Sequence, residues 1–154
     1  MENSTTDRIE KRIELRAPAA RVWRALTDHR EFGEWFRVNL QGPFVPGKAT
    51  RGNFTFPGYE PLVFEAVVQR MEPEKLFSFR WHPYAIDPKV DYSTEPTTLV
   101  EFRLEKSAGG TLLIVTESGF DALPPGRRDE AFRKNSGGRE HQLKNIDAHV
   151  TQTA

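Results

Sequence analysis

Apolar and polar positions change rhythm three times along the chain. Over residues 8–16, Ile9, Ile13 and Leu15 alternate with charged side chains in the second half, a period of two that predicts a strand. Pro18 then suits a first helical turn, because its ring presets the backbone angle there. Val22, Trp23 and Leu26 give that helix an apolar side. A second short helix is predicted over residues 29–36, presenting Phe32, Trp35 and Phe36, with Gly33 as its weak point. The period then returns to two, and strands are predicted at residues 38–40, 50–56, 62–71, 76–81, 98–105 and 111–117. Gly42-Pro43, Pro46-Gly47, Pro57-Gly58, Pro73 and Gly109-Gly110 separate them. Most of these connections are short, which favours an antiparallel meander. The stretch 82–96, with Pro83, Pro88 and Pro96, is predicted to be a long exposed loop. After Pro124-Pro125-Gly126 the rhythm is helical to about Val150, with Gly137-Gly138 expected to bend or weaken the helix. A strand, two helices, a run of strands and a long closing helix define an α+β chain.

The alternation also assigns faces. Phe77, Phe79 and Trp81 share one side of their strand, and Ser78 and Arg80 share the other. Val100, Phe102 and Leu104 likewise oppose Glu101, Arg103 and Glu105. One apolar face per strand is what an antiparallel sheet covered on one side requires. Residues 111–117 are apolar on both sides: Leu113 and Val115 run with Glu117, while Leu112 and Ile114 run with Thr116. The second set predicts an apolar contact patch on the outer face, open to a protein partner or a homodimer.

In the closing helix, Phe132, Asn135, Arg139, Leu143, Ile146 and Val150 fall on one stripe at about 100° per residue. The stripe is apolar at its ends and polar in its middle. Two arrangements are open. Either the two glycines break the phase and Arg139 faces water, or the helix roofs a partly wet cavity, since an unpaired buried arginine costs several kcal/mol. Glu117, on the face of Leu113 and Val115, is the natural partner for Arg139. Either the pair meets near the cavity floor or mouth and holds a polar ligand group or ordered water, or Glu117 is an exposed strand-end residue.

Composition narrows the function classes. The 154 residues are 37% hydrophobic and 29% charged, enough for one core. A single domain is expected over residues 8–150, with flexible termini at 1–7 and 151–154. Lys plus Arg and Asp plus Glu both number 22, so the net charge is zero. That argues against nucleic-acid binding driven mainly by counterion release and against polybasic attachment to a membrane surface, and leaves a local charged patch open. No apolar run approaches a membrane span, and the polar start shows no signal peptide, so a cytoplasmic location is expected. The absence of cysteine removes disulfides and thiolate chemistry. Eleven Phe, three Trp and three Tyr imply either a bulky core or an aromatic-lined pocket.

Catalytic signatures are missing. No phosphate-binding glycine loop, Gly-x-Ser-x-Gly elbow or His-Glu-x-x-His segment occurs. His29, His82, His141 and His149 lack metal-ligand spacing, and Asp28, Glu117 and Asp121 form no visible pair. No catalytic residue, cofactor or metal is therefore assigned.

Several segments together resemble the START-like, helix-grip (SRPBCC) superfamily, in the branch of the activator of Hsp90 ATPase homologues. Residues 17–28, Ala-Pro-Ala-Ala-Arg-Val-Trp-Arg-Ala-Leu-Thr-Asp, resemble the opening helix, and Glu34-Trp35-Phe36 the aromatic end of the second. Phe77-Ser78-Phe79-Arg80-Trp81 is similar to the aromatic strand after a Pro-rich turn. Residues 111–120, ending Ser118-Gly119-Phe120, resemble the penultimate strand, and Gly137-Gly138 with Gln142-Leu143 the closing helix. Two positions depart from the family: Arg139 stands where Trp is usual, and Glu117 where many relatives carry His. The resemblance implies a curved antiparallel sheet of six to seven strands wrapped around the C-terminal helix, with a hydrophobic pocket between them. It also implies an apolar small-molecule ligand such as a lipid, hormone or polyketide.

Binding of a hydrophobic small molecule is accordingly the leading expectation. Its candidate lining is Trp35, Phe36, Phe77, Phe79, Trp81, Phe102, Val115, Phe120, Phe132 and Leu143, with Glu117, Asn135 and Arg139 as polar contacts. The alternatives are a co-chaperone-type interaction module using Leu112 and Ile114, and an enzyme using the same cavity.

Overall fold

The computed structural model describes residues 7–83, 89, 91, 92 and 94–152. Strand β1 (Arg8–Leu15) is followed by helices α1 (Ala19–Thr27) and α2 (His29–Phe36). Strands β2 (Val38–Leu40), β3 (Ala49–Phe54), β4 (Val63–Glu72), β5 (Leu76–Trp81), β6 (Thr98–Ser107) and β7 (Gly110–Ser118) come next. A short 3-10 turn (Phe120–Ala122) leads into helix α3 (Pro125–Gln152). One antiparallel sheet of seven strands runs in the order β1-β7-β6-β5-β4-β3-β2. The meander β2 to β7 is thus local in sequence, while β1 pairs with the last strand, Ile13 opposite Leu113 and Ile9 opposite Glu117. The α+β helix-grip expectation holds, and strand ends move by one or two residues.

Local chemistry explains the two short helices. The Asp28 carboxylate accepts from the Arg30 and Glu31 backbone N–H groups and caps α2, satisfying donors that a helix start leaves open. Trp35 Nε1 donates to the Ala25 carbonyl at 2.8 Å and ties α2 to α1. Gly33 is required by close approach: a Cβ there would lie 2.3 Å from the Val38 carbonyl oxygen. Gly52 does the same between β2 and β3, where a Cβ would lie 2.1 Å from the Asn39 oxygen.

The inner sheet face, α1, α2 and the second half of α3 enclose one aromatic core. Phe32, Phe64, Phe77 and Phe79 are essentially fully buried. Their rings form a connected set, with Phe32 stacked on Phe36 at 4.6 Å and Phe77 on Phe102 at 6.2 Å. Leu143, Ile146 and Val150 of α3 close this core. Helix α3 runs through Gly137 and Gly138 as a single 28-residue helix, so the expected break there does not occur. Two interior glycines cost roughly 1 kcal/mol each, less than the packing of the apolar residues that follow.

The outer face departs from expectation. Ile114 is buried and Leu112 is half-buried. Ile114 lies between Arg12 and Arg103, and Leu112 between Glu14 and Glu105, on the flanking strands. Long charged side chains cover apolar neighbours with their aliphatic stems. The exposed patch anticipated at these two residues is therefore absent. The exposed large apolar residues among the described ones are Val45, Phe56, Tyr59, Val63 and Val67, around the β3–β4 hairpin. Of the anticipated long loop, residues 84–88, 90 and 93 lie outside the described residues, as do residues 1–6, 153 and 154 at the two ends. The loop's described parts meet α3, where Arg127 donates to Glu95 Oε1 at 2.8 Å and to the Pro83 carbonyl at 2.9 Å.

Candidate functional site

Glu117 projects from the end of β7 toward the middle of α3, and its side chain has no solvent exposure. Alternation places it there: Leu113, Val115 and Glu117 occupy the inward positions of their strand. Arg139, equally buried, comes from the helix stripe. Its Nη2 donates to Glu117 Oε1 at 2.9 Å and its Nε to the same oxygen at 3.2 Å. Oε2 accepts from Thr98 Oγ1 at 2.6 Å and from Trp81 Nε1 at 2.8 Å. Asn135 Nδ2 bridges both oxygens at 3.1 and 3.2 Å. Arg139 Nη1 donates to Gln142 Oε1 at 2.7 Å, and the guanidinium lies 5.1 Å from the Trp81 ring centre.

This arrangement answers the cost of burying two charges. An ion pair removed from water is tolerated when its geometry is good and the remaining polar atoms are satisfied. A carboxylate offers about four lone-pair directions, and Glu117 meets five donor atoms. The carboxylate is therefore held in place by its neighbours through both oxygens. The sequence expectation that Glu117 and Arg139 meet is realised, and the alternative of Arg139 facing water is not.

The candidate residues divide into three groups. Trp35, Phe36, Phe77, Phe79, Phe102, Val115 and Leu143 belong to the main core. Trp81, Glu117, Asn135 and Arg139 form the polar knot at its edge, and Trp81 joins the two, its ring 5.9 Å from Phe79 and 6.1 Å from Phe36. Phe120 and Phe132 are not brought to either. They pack on each other at 5.4 Å in a separate small cluster with Ile9, Leu123 and Ala131. Two members of the knot escaped the sequence reading. Thr98 shares the inward phase of Val100 and Phe102, and Gln142 lies three residues from Arg139 on one helix face; both signals were present in the pattern.

Asn135, Trp81, Gln142 and Gly138 are half-buried, so the knot reaches the surface along α3. A Cβ at Gly137 or Gly138 would meet nothing within 4 Å. These two positions thus face solvent on the side of α3 that precedes Arg139. Among the described residues no group of three or more His, Asp or Glu side chains is placed to hold a metal ion.

An antiparallel sheet closed by a long C-terminal helix, with short helices after the first strand, defines a helix-grip protein. The chain belongs to the family described as activator of Hsp90 ATPase homolog 1-like protein, which matches residues 16–151. Solved structures agree on the fold. MLL2253 from Mesorhizobium loti superposes with a TM-score of 0.75 at 22% identity, over 96% of this chain and 98% of that one. DynU16, from the dynemicin biosynthetic locus, gives 0.73 at 25% identity over 94% of this chain and 47% of its own, so the chain spans about half the length of DynU16. CalU16 from Micromonospora echinospora gives 0.60 at 22% identity, over 93% and 74%. No curated protein matches the chain. Among the described residues no helix is long and apolar enough to cross a membrane.

Proposed function

We propose that the chain binds an apolar small molecule carrying one uncharged polar group, at the junction of the sheet and α3. The buried Glu117–Arg139 pair in the middle of an apolar helix stripe carries this reading. Apolar residues of similar volume would serve a purely structural core as well or better. A neutral ion pair whose partners reach the surface gives a ligand a polar anchor without a net charge. Trp81 supplies the aromatic wall, and Asn135 and Gln142 supply the polar contacts at the mouth. The core aromatics Phe36, Phe64 and Phe79 stand behind Trp81 and receive the apolar body as side chains shift. DynU16, which shares the fold, lends support, since it comes from a biosynthetic locus.

Native mass spectrometry of freshly purified protein, followed by titration of tryptophan emission with 1-naphthol and naphthalene, tests the reading. A retained small molecule, or saturable quenching by 1-naphthol that weakens about ten-fold in Asn135→Leu, is expected. No retained molecule together with no saturable quenching by either probe overturns it.

A second reading, a protein-interaction module, is favoured by the exposed pair Phe56 and Tyr59, whose rings lie 5.6 Å apart near Val63. The family's description, with its reference to Hsp90, is the other support. Light scattering separates the two: association lost in Phe56→Ser/Tyr59→Ser favours the module, and a monomer that captures no partner removes it.

A further inference from the structure

On the sheet face turned away from α3, strands β4, β5 and β6 enclose a groove of about 530 Å³, within the size range of small-molecule sites. Two features of the sheet build it. First, β4 carries a bulge: Val67 pairs with Arg80 and Val68 with Phe79, but Arg70, not Gln69, stands opposite Ser78. The additional residue resets the alternation, so that Gln69 and Arg70 both line the groove while Met71 returns to the core. Second, Ser78 is a short side chain in a row of long ones, with Arg70 on one side and Glu101 on the other. It is 2% exposed and lies at the floor, beside Leu76 and Leu99.

The rim is charged and unbalanced. Arg70, Lys75, Arg80 and Arg103 face only Glu72 and Glu101. Both acids are already engaged, Glu72 by Arg70 at 3.5 Å and Glu101 by Arg103 at 3.3 Å. Lys75 and Arg80 have no ion-pair partner among the described residues. Two positive charges are left over in the groove of a molecule whose net charge is zero. Around the Ser78 hydroxyl the neighbours on this face are Arg70 and Glu101, directly across on either side, and Arg80, two residues along, with Glu101 neutralised by Arg103.

We propose that this outer groove binds a small organic dianion of the phosphate-monoester class. The anionic group is received by the Ser78 hydroxyl with Arg70 and Arg80, and the apolar body lies over Leu76 and Leu99. Guanidinium groups match phosphate oxygens in planar, paired geometry. A hydroxyl and an apolar floor select a compact ester over an extended polyanion, for which a chain of zero net charge offers no continuous track. The site is independent of the ligand proposed at the α3 junction, and the two lie on opposite faces of the sheet.

Amide NMR titration with phenyl phosphate at low salt tests it. Saturable shifts are expected at Ser78, Arg80 and Leu99, with Glu117, Asn135 and Arg139 unmoved. Arg80→Gln, an exposed position whose change leaves the melting transition in place, weakens binding about three- to five-fold. Ser78→Val, which fills the floor, removes the shifts, and rising salt weakens binding throughout. Equal saturation by phenol or by sulfate at matched ionic strength means general adsorption and overturns the proposal. So do shifts confined to the α3 junction, an absence of saturable shifts, or an affinity unchanged in Arg80→Gln.

Discussion

Two carboxylates, Glu117 and Glu31, each gather several donors and fasten α3 to the rest of the molecule, but at different depths. Glu117 is fully buried and meets Arg139, also buried, with Trp81, Thr98 and Asn135 completing its shell. Glu31, on α2, is one-fifth exposed. It accepts from Arg21 Nη1 at 2.6 Å and Arg24 Nε at 2.7 Å, and His149 Nε2 lies 2.9 Å away near the end of α3. His149 Nδ1 also lies 3.6 Å from Glu34. In the first cluster, most of the energy appears only when one partner is lost, because the other is then a charge without water. In the second, Arg21 and His149 are nearly buried, but Glu31 itself and Arg24 reach solvent, so a lost bond is partly replaced by water.

The largest test of this contrast is to break the buried pair. Arg139→Met or Glu117→Gln is expected to cost about 3–5 kcal/mol each in urea unfolding. The double variant is expected to cost less than the two together, by roughly 1–3 kcal/mol of coupling. Strict additivity would mean that the two side chains do not act as a unit. Glu31→Gln comes next, at about 1–2 kcal/mol, since the Glu31 side chain itself and Arg24 reach water although Arg21 and His149 are nearly buried.

Acid should separate the clusters in the same way. Burial works to raise the Glu31 carboxyl, but the bonds from His149, Arg21 and Arg24 outweigh it and hold the group below its ordinary value of 4.5. A carboxylate whose folded pKa is depressed contributes fully above the unfolded value. The contribution is lost as pH falls through the folded value. Stability of the parent protein should therefore fall below about pH 4.5, and Glu31→Gln should flatten that part of the profile. An unchanged slope in the variant would assign the acid sensitivity elsewhere. The smallest effect is expected at the exposed Arg8–Glu10–Arg12 set on β1, where Glu10→Gln should change stability by less than about 0.5 kcal/mol.

The opposite faces of the sheet show why some of this was readable beforehand. Phe77, Phe79, Val100 and Phe102 alternate with polar residues, and that period of two already separates inside from outside. The Phe132 to Val150 stripe did the same for α3, and its phase survived Gly137 and Gly138 because each turn is held by bonds only four residues long. The outer apolar pair Leu112 and Ile114 misled for a related reason: alternation reports a residue's face but not the length of the side chains beside it. Nor does alternation reveal the β4 bulge, which exists only relative to β5.

The chain's own pattern thus determined the elements, the faces of most strands and the α+β class, and it put Glu117 and Arg139 in phase with apolar neighbours without deciding that they are buried. All of these follow from backbone periods that act over a few residues. The tertiary structure alone decided that Trp81, Thr98 and Asn135, which lie 36, 19 and 18 residues from Glu117 in sequence, converge on one carboxylate. It alone set Phe120 and Phe132 apart from the main core and opened a charged groove beside Ser78. Convergence of this kind depends on strand register and on the crossing of α3 over the sheet, and both are properties of the packed whole.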